Sequence, residues 1–380
     1  MNFIENLLNN LANSRDPYTT VIEFPGLFGG IGPFEVCNIA FYIPIGQYRI
    51  PIAWYALIIT FGIVCCLTYL IVQARKIGVT MDDIIDGALF VIPIGILGAR
   101  LYYVAFDFEH YDNYKNILDV IDMSSGGLAI YGGIIFGTLT VIGYCMFKRI
   151  NFLALGDCIA PGVLLAQGIG RWGNFMNGEA FGYKTEIFCK MGIENFHTNG
   201  YFKTTEMVYV HPTFLYESLW NLLGVLLVYL FQKFIGKKYD GQLIYLIFGW
   251  YGFGRMFIEA LRTDSLGDKE SNVRVSLILG AVVFAVCLFL LIFFAIKKPK
   301  SGFYFKYPVP EGTKLPKISF KERFIGTFYT KRTEENAKPI DYKPILAAEK
   351  ARLVAEKQAK LEGKHKKEDN KNEENKENED

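Results

Sequence analysis

The stretch Gly170-Arg171-Trp172-Gly173-Asn174-Phe175-Met176-Asn177-Gly178-Glu179-Ala180-Phe181-Gly182 brings a guanidinium, two side-chain amides and a carboxylate together. It follows directly on an apolar run, Phe152 to Ile169, that is long enough to enter a bilayer. Ionisable groups at membrane depth are costly and turn inward onto a polar site or a water-filled cavity. A planar guanidinium beside two asparagine amides suits the oxygen fork of a phosphate, so the stretch reads as a lipid headgroup site. Four glycines in it let the backbone bend and approach a ligand, and they argue against a plain continuous helix. The blander reading is that Arg171 pairs with Glu179, or with Asp157 one helix length earlier, and staples helices together.

A second constellation lies at Tyr251, Arg255, Glu259 and Arg262, which share one helical face by their spacing of three and four. Here an Arg255–Glu259 ion pair competes with a functional role. Arg100 is a third arginine set within an apolar run. The histidines offer little: His110 and His197 fall in loops, His365 is in the tail, and His211 precedes a proline that reads as a helix start.

The elements that must position these residues are membrane helices. Hydrophobic residues make up 51% of the 380 residues, with 32 Phe, and the mean hydropathy is +0.22. That composition fits a polytopic membrane protein rather than a soluble one. Seven runs of spanning length stand out, at about 52–73, 85–105, 127–147, 152–172, 212–234, 241–261 and 274–296. The net charge of +2 conceals segregation into loops and tail, and no nucleic-acid partner is implied. Arg75-Lys76, Lys148-Arg149, Lys233 with Lys237-Lys238, and Lys297-Lys298 with Lys300 mark alternate loops, whereas Asp107, Glu109, Asp112, Asp119 and Asp122 crowd the first of the others. The positive-inside rule then predicts an outside N-terminus and a cytoplasmic C-terminus.

Residues 21–50 are apolar but too broken by Pro and Gly to span, and Phe3, Ile4, Leu7, Leu8 and Leu11 recur as in a short interfacial helix. Gly133 and Gly137 have the spacing that brings membrane helices close. The seven cysteines show no metal spacing. Only Cys37 and Cys189 fall outside the apolar runs, and an odd total argues against their pairing. From Lys331 onward Lys, Glu and Asn dominate, a composition that does not fold alone, with good helix formers at 345–363.

The thirteen-residue stretch resembles the signature of the prolipoprotein diacylglyceryl transferases of bacterial inner membranes. Ile52-Ala53-Trp54-Tyr55, Gly98-Ala99-Arg100, Gly126-Gly127-Leu128, His211-Pro212-Thr213 with Tyr216-Glu217, and Tyr251 to Arg262 carry the similarity across roughly residues 50–297. The resemblance implies an enzyme that moves diacylglyceryl from phosphatidylglycerol to the lipobox cysteine of a prolipoprotein, with no cofactor or metal. It implies an all-α, seven-helix membrane domain at 52–297 with an outer head insertion at 178–211. An extracytoplasmic arm at 1–51 precedes it, and a disordered cytoplasmic tail at 298–380 follows. Carried over by position, Arg171, Arg255, Tyr131 and Tyr251 take catalytic roles, and Arg171, Asn174, Asn177, Glu179, Gly182, Tyr55 and Arg100 take lipid-binding ones. One departure stands out: where some members have a histidine before Gly-Gly, this chain has Tyr131-Gly132-Gly133. A phenol of ordinary pKa is a poor base at neutral pH, so the proton acceptor is left open. A transporter would use intramembrane charges too, but no internal repeat is evident, and a headgroup phosphotransferase would want clustered carboxylates for Mg²⁺.

Overall fold

The computed structural model describes residues 18–27, 29–107, 116, 120–121, 127–148, 150–194, 196–198, 201–203, 206–263 and 275–297, with isolated positions between 320 and 358. The proposed interfacial helix at the N-terminus lies outside the described residues, as does nearly all of the tail. Within 345–363 only Ala351, Ala355 and Gln358 are described, and each is helical. The chain divides into the units Met1–Lys331 and Arg332–Asp380.

Seven long helices are described: α1 (Trp54–Ala74), α2 (Met81–Phe106), α3 (Ile130–Lys148), α4 (Phe152–Met176), α5 (Thr213–Phe234), α6 (Gln242–Leu261) and α7 (Val275–Lys297). All but α6 are long and apolar enough to cross a membrane. Their large apolar side chains turn outward in number, with Leu89 and Phe147 about two-thirds exposed or more, at 68% and 71%. In water that surface would be prohibitive, and in hydrocarbon it costs nothing, because lipid tails are as apolar as leucine.

The helix starts follow local chemistry. Thr80 closes a capping box with Asp83 at the head of α2, and Asn151 accepts from Ala154 N at the head of α4. Small residues set the crossings. Gly62 and Gly162 let α1 and α4 touch, Gly132 lies on the Gly98 carbonyl between α3 and α2, and Gly95 faces Gly133 and Gly137.

Strands correct the all-α expectation. The segment before α1 forms β1 (Thr19–Phe24), β2 (Ile31–Cys37), β3 (Ile39–Ile45) and β4 (Tyr48–Ala53), and the segment between α4 and α5 forms β5 (Met191–Glu194), β6 (Phe196–Thr198), β7 (Tyr201–Lys203) and β8 (Val208–Val210). A four-stranded antiparallel sheet has the order β2-β1-β5-β8, so the N-terminal arm and the later loop build one structure. Of the Pro and Gly residues that forbid a span here, Pro25, Gly26, Gly29, Gly30 and Gly46 fall between strands, while Gly32, Pro33 and Pro44 lie within them. Ile22, Phe24, Val36, Met191, Ile193 and Val210 form the sheet's inner face and pack on Phe175 and Met176 of α4 and Phe214 of α5. That packing clamps the C-terminal end of α4 against the start of α5. Cys37 and Cys189 are both free thiols.

Candidate functional site

Helix α4 continues through Gly170 and Gly173 to Met176, contrary to the expectation of a broken helix. These glycines serve close contact: the Tyr55 ring lies on the Gly173 backbone, where a Cβ would come within 2.8 Å of it. The turn comes only at Gly178, whose φ of 59° suits glycine. Arg171 and Asn174 therefore project from the last turns of α4, and Asn177 and Glu179 from the turn that follows.

The polar side chains of this stretch form a relay. Arg171 Nη1 donates to Asn174 Oδ1 at 3.3 Å, and the Nδ2 groups of Asn174 and Asn177 both donate to Glu179 Oε1 at 3.0 Å. Tyr18 Oη, from the start of the arm, donates to the Asn177 carbonyl and ties the turn to the sheet. Glu179 thus fixes the amides of both asparagines, and Arg171 does not pair with it or with Asp157.

Arg171 instead meets Glu217, on the second turn of α5, with Nη2 2.6 Å from Oε2. Arg255 of α6 reaches the same carboxylate, with Nη1 2.6 Å from Oε1, and places Nη2 2.5 Å from Glu259 Oε2. Arg262 Nη1 lies 3.4 Å from Glu217 Oε1 and its Nε lies 4.0 Å from Glu259. The anticipated Arg255–Glu259 pair exists, but as one limb of a larger cluster in which three arginines from two helices converge on Glu217. The carboxylates sit at the back, Glu217 at 4% and Glu259 at 1% side-chain exposure, while the side chains of Arg171 and Arg255 keep 17% and 13%. Guanidinium groups offer more donors than these contacts use, and an oxyanion approaching from the open side would meet them first.

Two devices hold Glu217 in register. Trp220 and Trp250 stack at 4.0 Å with planes 6° apart, and each indole N–H donates to the other's carbonyl at 3.0 Å, joining α5 to α6. Gly224 and Gly254 leave room for the rings, since a Cβ at either would fall within 2.5 Å of an indole. On the other side Trp172 Nε1 donates to Ser218 Oγ, which donates to the Gly168 carbonyl, joining α5 to α4. At the opposite end of the helices α6 has no side-chain cap of its own. Asp157 of α4 supplies one, accepting from Gly241 N, Leu243 N and Ile244 N at 2.7–3.0 Å, with Lys237 Nζ at 3.1 Å.

The remaining expected residues are placed as follows. Tyr55 packs on α4 at Gly173, as described. Gly182 bridges to Arg262, and a Cβ there would lie 2.6 Å from the Leu261 carbonyl and 2.7 Å from His211 Cβ, so close backbone approach requires this glycine. Tyr251 packs partly buried against the Leu164–Ile247 cluster between α4 and α6, one turn before Arg255. Arg100 is buried, donates from Nε to the Val120 carbonyl and from Nη1 to the Gly127 carbonyl, and lies over the Tyr103 ring. Tyr131 stands on the first turn of α3, which packs on α2, and its hydroxyl makes no hydrogen bond among the described residues. The structure thus gathers Arg171, Asn174, Asn177, Glu179, Gly182, Tyr55 and Arg255, and leaves Arg100 and Tyr131 outside that chain of contacts.

Sequence reasoning passed over Glu217 as the hub. The available signal was a carboxylate within a spanning run, which requires a cation beside it. His211 Nδ1 lies 3.3 Å from Tyr216 Oη, which in turn meets Cys189 Sγ at 3.4 Å, and partial burial holds the imidazole below its ordinary pKa.

Beside the cluster an open apolar groove of about 360 Å³ runs between α1, α4 and α5, lined by Trp54, Ile58, Phe61, Ile169, Trp172 and Leu222. Its walls include Trp172 and Ser218, the sequence neighbours of Arg171 and Glu217, and its apolar lining suits acyl chains.

Residues 40–293 match the family described as prolipoprotein diacylglyceryl transferase. The chain is 39% identical over 260 residues to phosphatidylglycerol–prolipoprotein diacylglyceryl transferase 1 of Clostridium perfringens, covering 68% of this chain and 97% of that protein. It is 40% identical over 254 residues to the corresponding transferase of Bacillus cytotoxicus, covering 66% and 90%, and 40% identical over 261 residues to that of Enterococcus faecalis, covering 68% and 90%. Matched over two-thirds of its length and about 40% identical to these transferases, the chain belongs to the prolipoprotein diacylglyceryl transferase family.

Proposed function

We infer that this protein transfers the diacylglyceryl group of phosphatidylglycerol to the lipobox cysteine thiol of prolipoproteins, forming a thioether and releasing glycerol phosphate. The observation that carries the reading is the convergence of Arg171 and Arg255, distant in sequence, on the single carboxylate of Glu217. Transfer requires the sulfur to attack the glyceryl carbon while the carbon–oxygen bond to phosphate breaks. Negative charge grows on the departing phosphate, and preorganised guanidinium donors stabilise it where it develops. Arg171, Asn174 and Arg255 hold the phosphate, and Glu179 and Asn177 orient Asn174. Tyr55 and Tyr251 line the reacting centre, Tyr131 offers its phenol to the lipid as a hydrogen-bond donor, and an acyl chain lies in the apolar groove.

Helix α6 completes seven spans, its polar last turns turned inward onto the cluster. The distribution of Lys and Arg in the loops supports an outside N-terminus and a cytoplasmic tail from 298 onward. This orientation puts the arm at 1–51, the head insertion at 178–211 and the arginine cluster at the outer face of a bacterial cell membrane, where phosphatidylglycerol and an exported protein both reach it.

The test is purified protein with labelled phosphatidylglycerol and a peptide containing Leu-x-x-Cys. A lipidated peptide is the expected product, and unmodified peptide after exhaustive incubation with active-fraction protein would overturn the reading.

A further inference from the structure

The chemistry just described needs an acceptor for the thiol proton, since a thiol beside hydrocarbon stays protonated. Tyr131 is a phenol outside the chain of contacts, and His211 is engaged with Tyr216, which leads on to Cys189. Glu179 accepts both amide N–H groups on Oε1 and has no arginine contact among the described residues, so phosphate binding at the arginines does not release it, and Glu259 is the most deeply buried of the acids and is held by Arg255 on its own helix. Glu217 differs from all of these. It faces Arg171 from α4 and Arg255 and Arg262 from α6, so its charge is balanced by the same guanidinium groups that would bind phosphate. Its Oε2 lies in ionic contact with Arg171 but accepts no well-aligned hydrogen bond, which leaves lone-pair capacity there.

Resting on the proposed function, we infer that Glu217 is the proton acceptor for the lipobox thiol, released for that role when the lipid phosphate takes its place on Arg171 and Arg255. The cluster as it stands is neutral: Arg171, Arg255 and Arg262 against Glu217, Glu259 and Glu179. A phosphodiester adds one negative charge. Once it draws the guanidinium donors away, both carboxylate oxygens of Glu217 are released to accept a proton. The thiol proton passes to Glu217, sulfur bonds to the glyceryl carbon, and the electron pair of the breaking carbon–oxygen bond leaves with glycerol phosphate. The departing group has gained one negative charge and carries the proton away from Glu217, whose carboxylate then returns to the arginines. Lipid binding thereby arms the base, and an empty site leaves it disarmed.

The experiment uses full-length Glu217→Gln with labelled phosphatidylglycerol and two peptides, one with cysteine and one with selenocysteine, whose selenol is already ionised at neutral pH. Wild type acting on the cysteine peptide tests the proposed function separately. The glutamine variant should bind phosphatidylglycerol at least as tightly as wild type, lose about 10²–10⁴ in rate with cysteine, and recover most of that rate with selenocysteine. Equal losses on the two peptides, weakened lipid binding, or a rate with cysteine within about fivefold of wild type would each overturn the assignment. Should the glutamine variant fail to fold, Glu217→Asp keeps the charge but withdraws the carboxylate by one methylene. It should be slowed with cysteine alone, and equal slowing with both peptides would refute the role.

Discussion

Asp157 lies far along α4 from the arginine cluster, yet the cluster depends on it. Its carboxylate, 2% exposed, is the side-chain cap of the first turn of α6, and α6 carries Arg255 and Glu259 near its other end. Asp157→Ala leaves three backbone N–H donors without their acceptor and removes one of the two carboxylates on Lys237, the other being Asp240 at 2.9 Å. An unsatisfied buried donor costs about 1–3 kcal/mol, and removing one partner of a buried ion pair costs about 3–5 kcal/mol. These overlap, because the same carboxylate is being removed, so a total near 4 kcal/mol is expected, close to a thousandfold in the folded-to-unfolded ratio. At roughly 2–4 °C per kcal/mol the midpoint of thermal unfolding in detergent should fall by about 10 °C. Asp157→Asn keeps one acceptor oxygen and should lose about half as much. If Asp157→Ala melts within about 2 °C of wild type, the first turn of α6 finds other partners and the anchoring argument is wrong.

Arg171→Ala and Arg255→Ala should each abolish incorporation of labelled lipid into peptide while the protein still inserts into membranes, and wild-type rates in either would remove both from the site. Arg171→Lys should also lose most activity, because an ammonium lacks the two-pronged donor set. Trp220→Phe removes one indole N–H, and its bond to the Trp250 carbonyl, from the Trp clasp, so unfolding should come about 1 kcal/mol sooner in a denaturation series. Tyr131→Phe should slow transfer roughly tenfold to a hundredfold, the worth of one hydrogen bond to a charged group, and an unchanged rate would take its phenol off the lipid.

The helices were legible because hydropathy in a bilayer is a strong and local signal: α1 to α7 lie within a few residues of the seven apolar runs. The strands were less so. Gly and Pro in residues 21–50 correctly ruled out a span, but β1 completes its sheet with β5, far along the chain, and no local pattern announces that partner. The glycines at 170 and 173 misled for a related reason. A glycine in a helix reads as a break until a ring such as Tyr55 is seen filling the space it leaves.

By itself the sequence determined that the chain enters a membrane, where its long helices fall, and that Arg171, Asn174 and Glu179 arrive at a helix end together. These follow from side-chain transfer energies and spacing along one helix, both of which are local. Only the tertiary structure decided that Arg171 and Arg255 share Glu217, that Arg100 is held by loop carbonyls, and that Asp157 caps a helix it is not part of. Each of those depends on the crossing of helices remote in sequence. An ion pair is fixed by distances of a few ångströms in space, and spacing along the chain does not encode them.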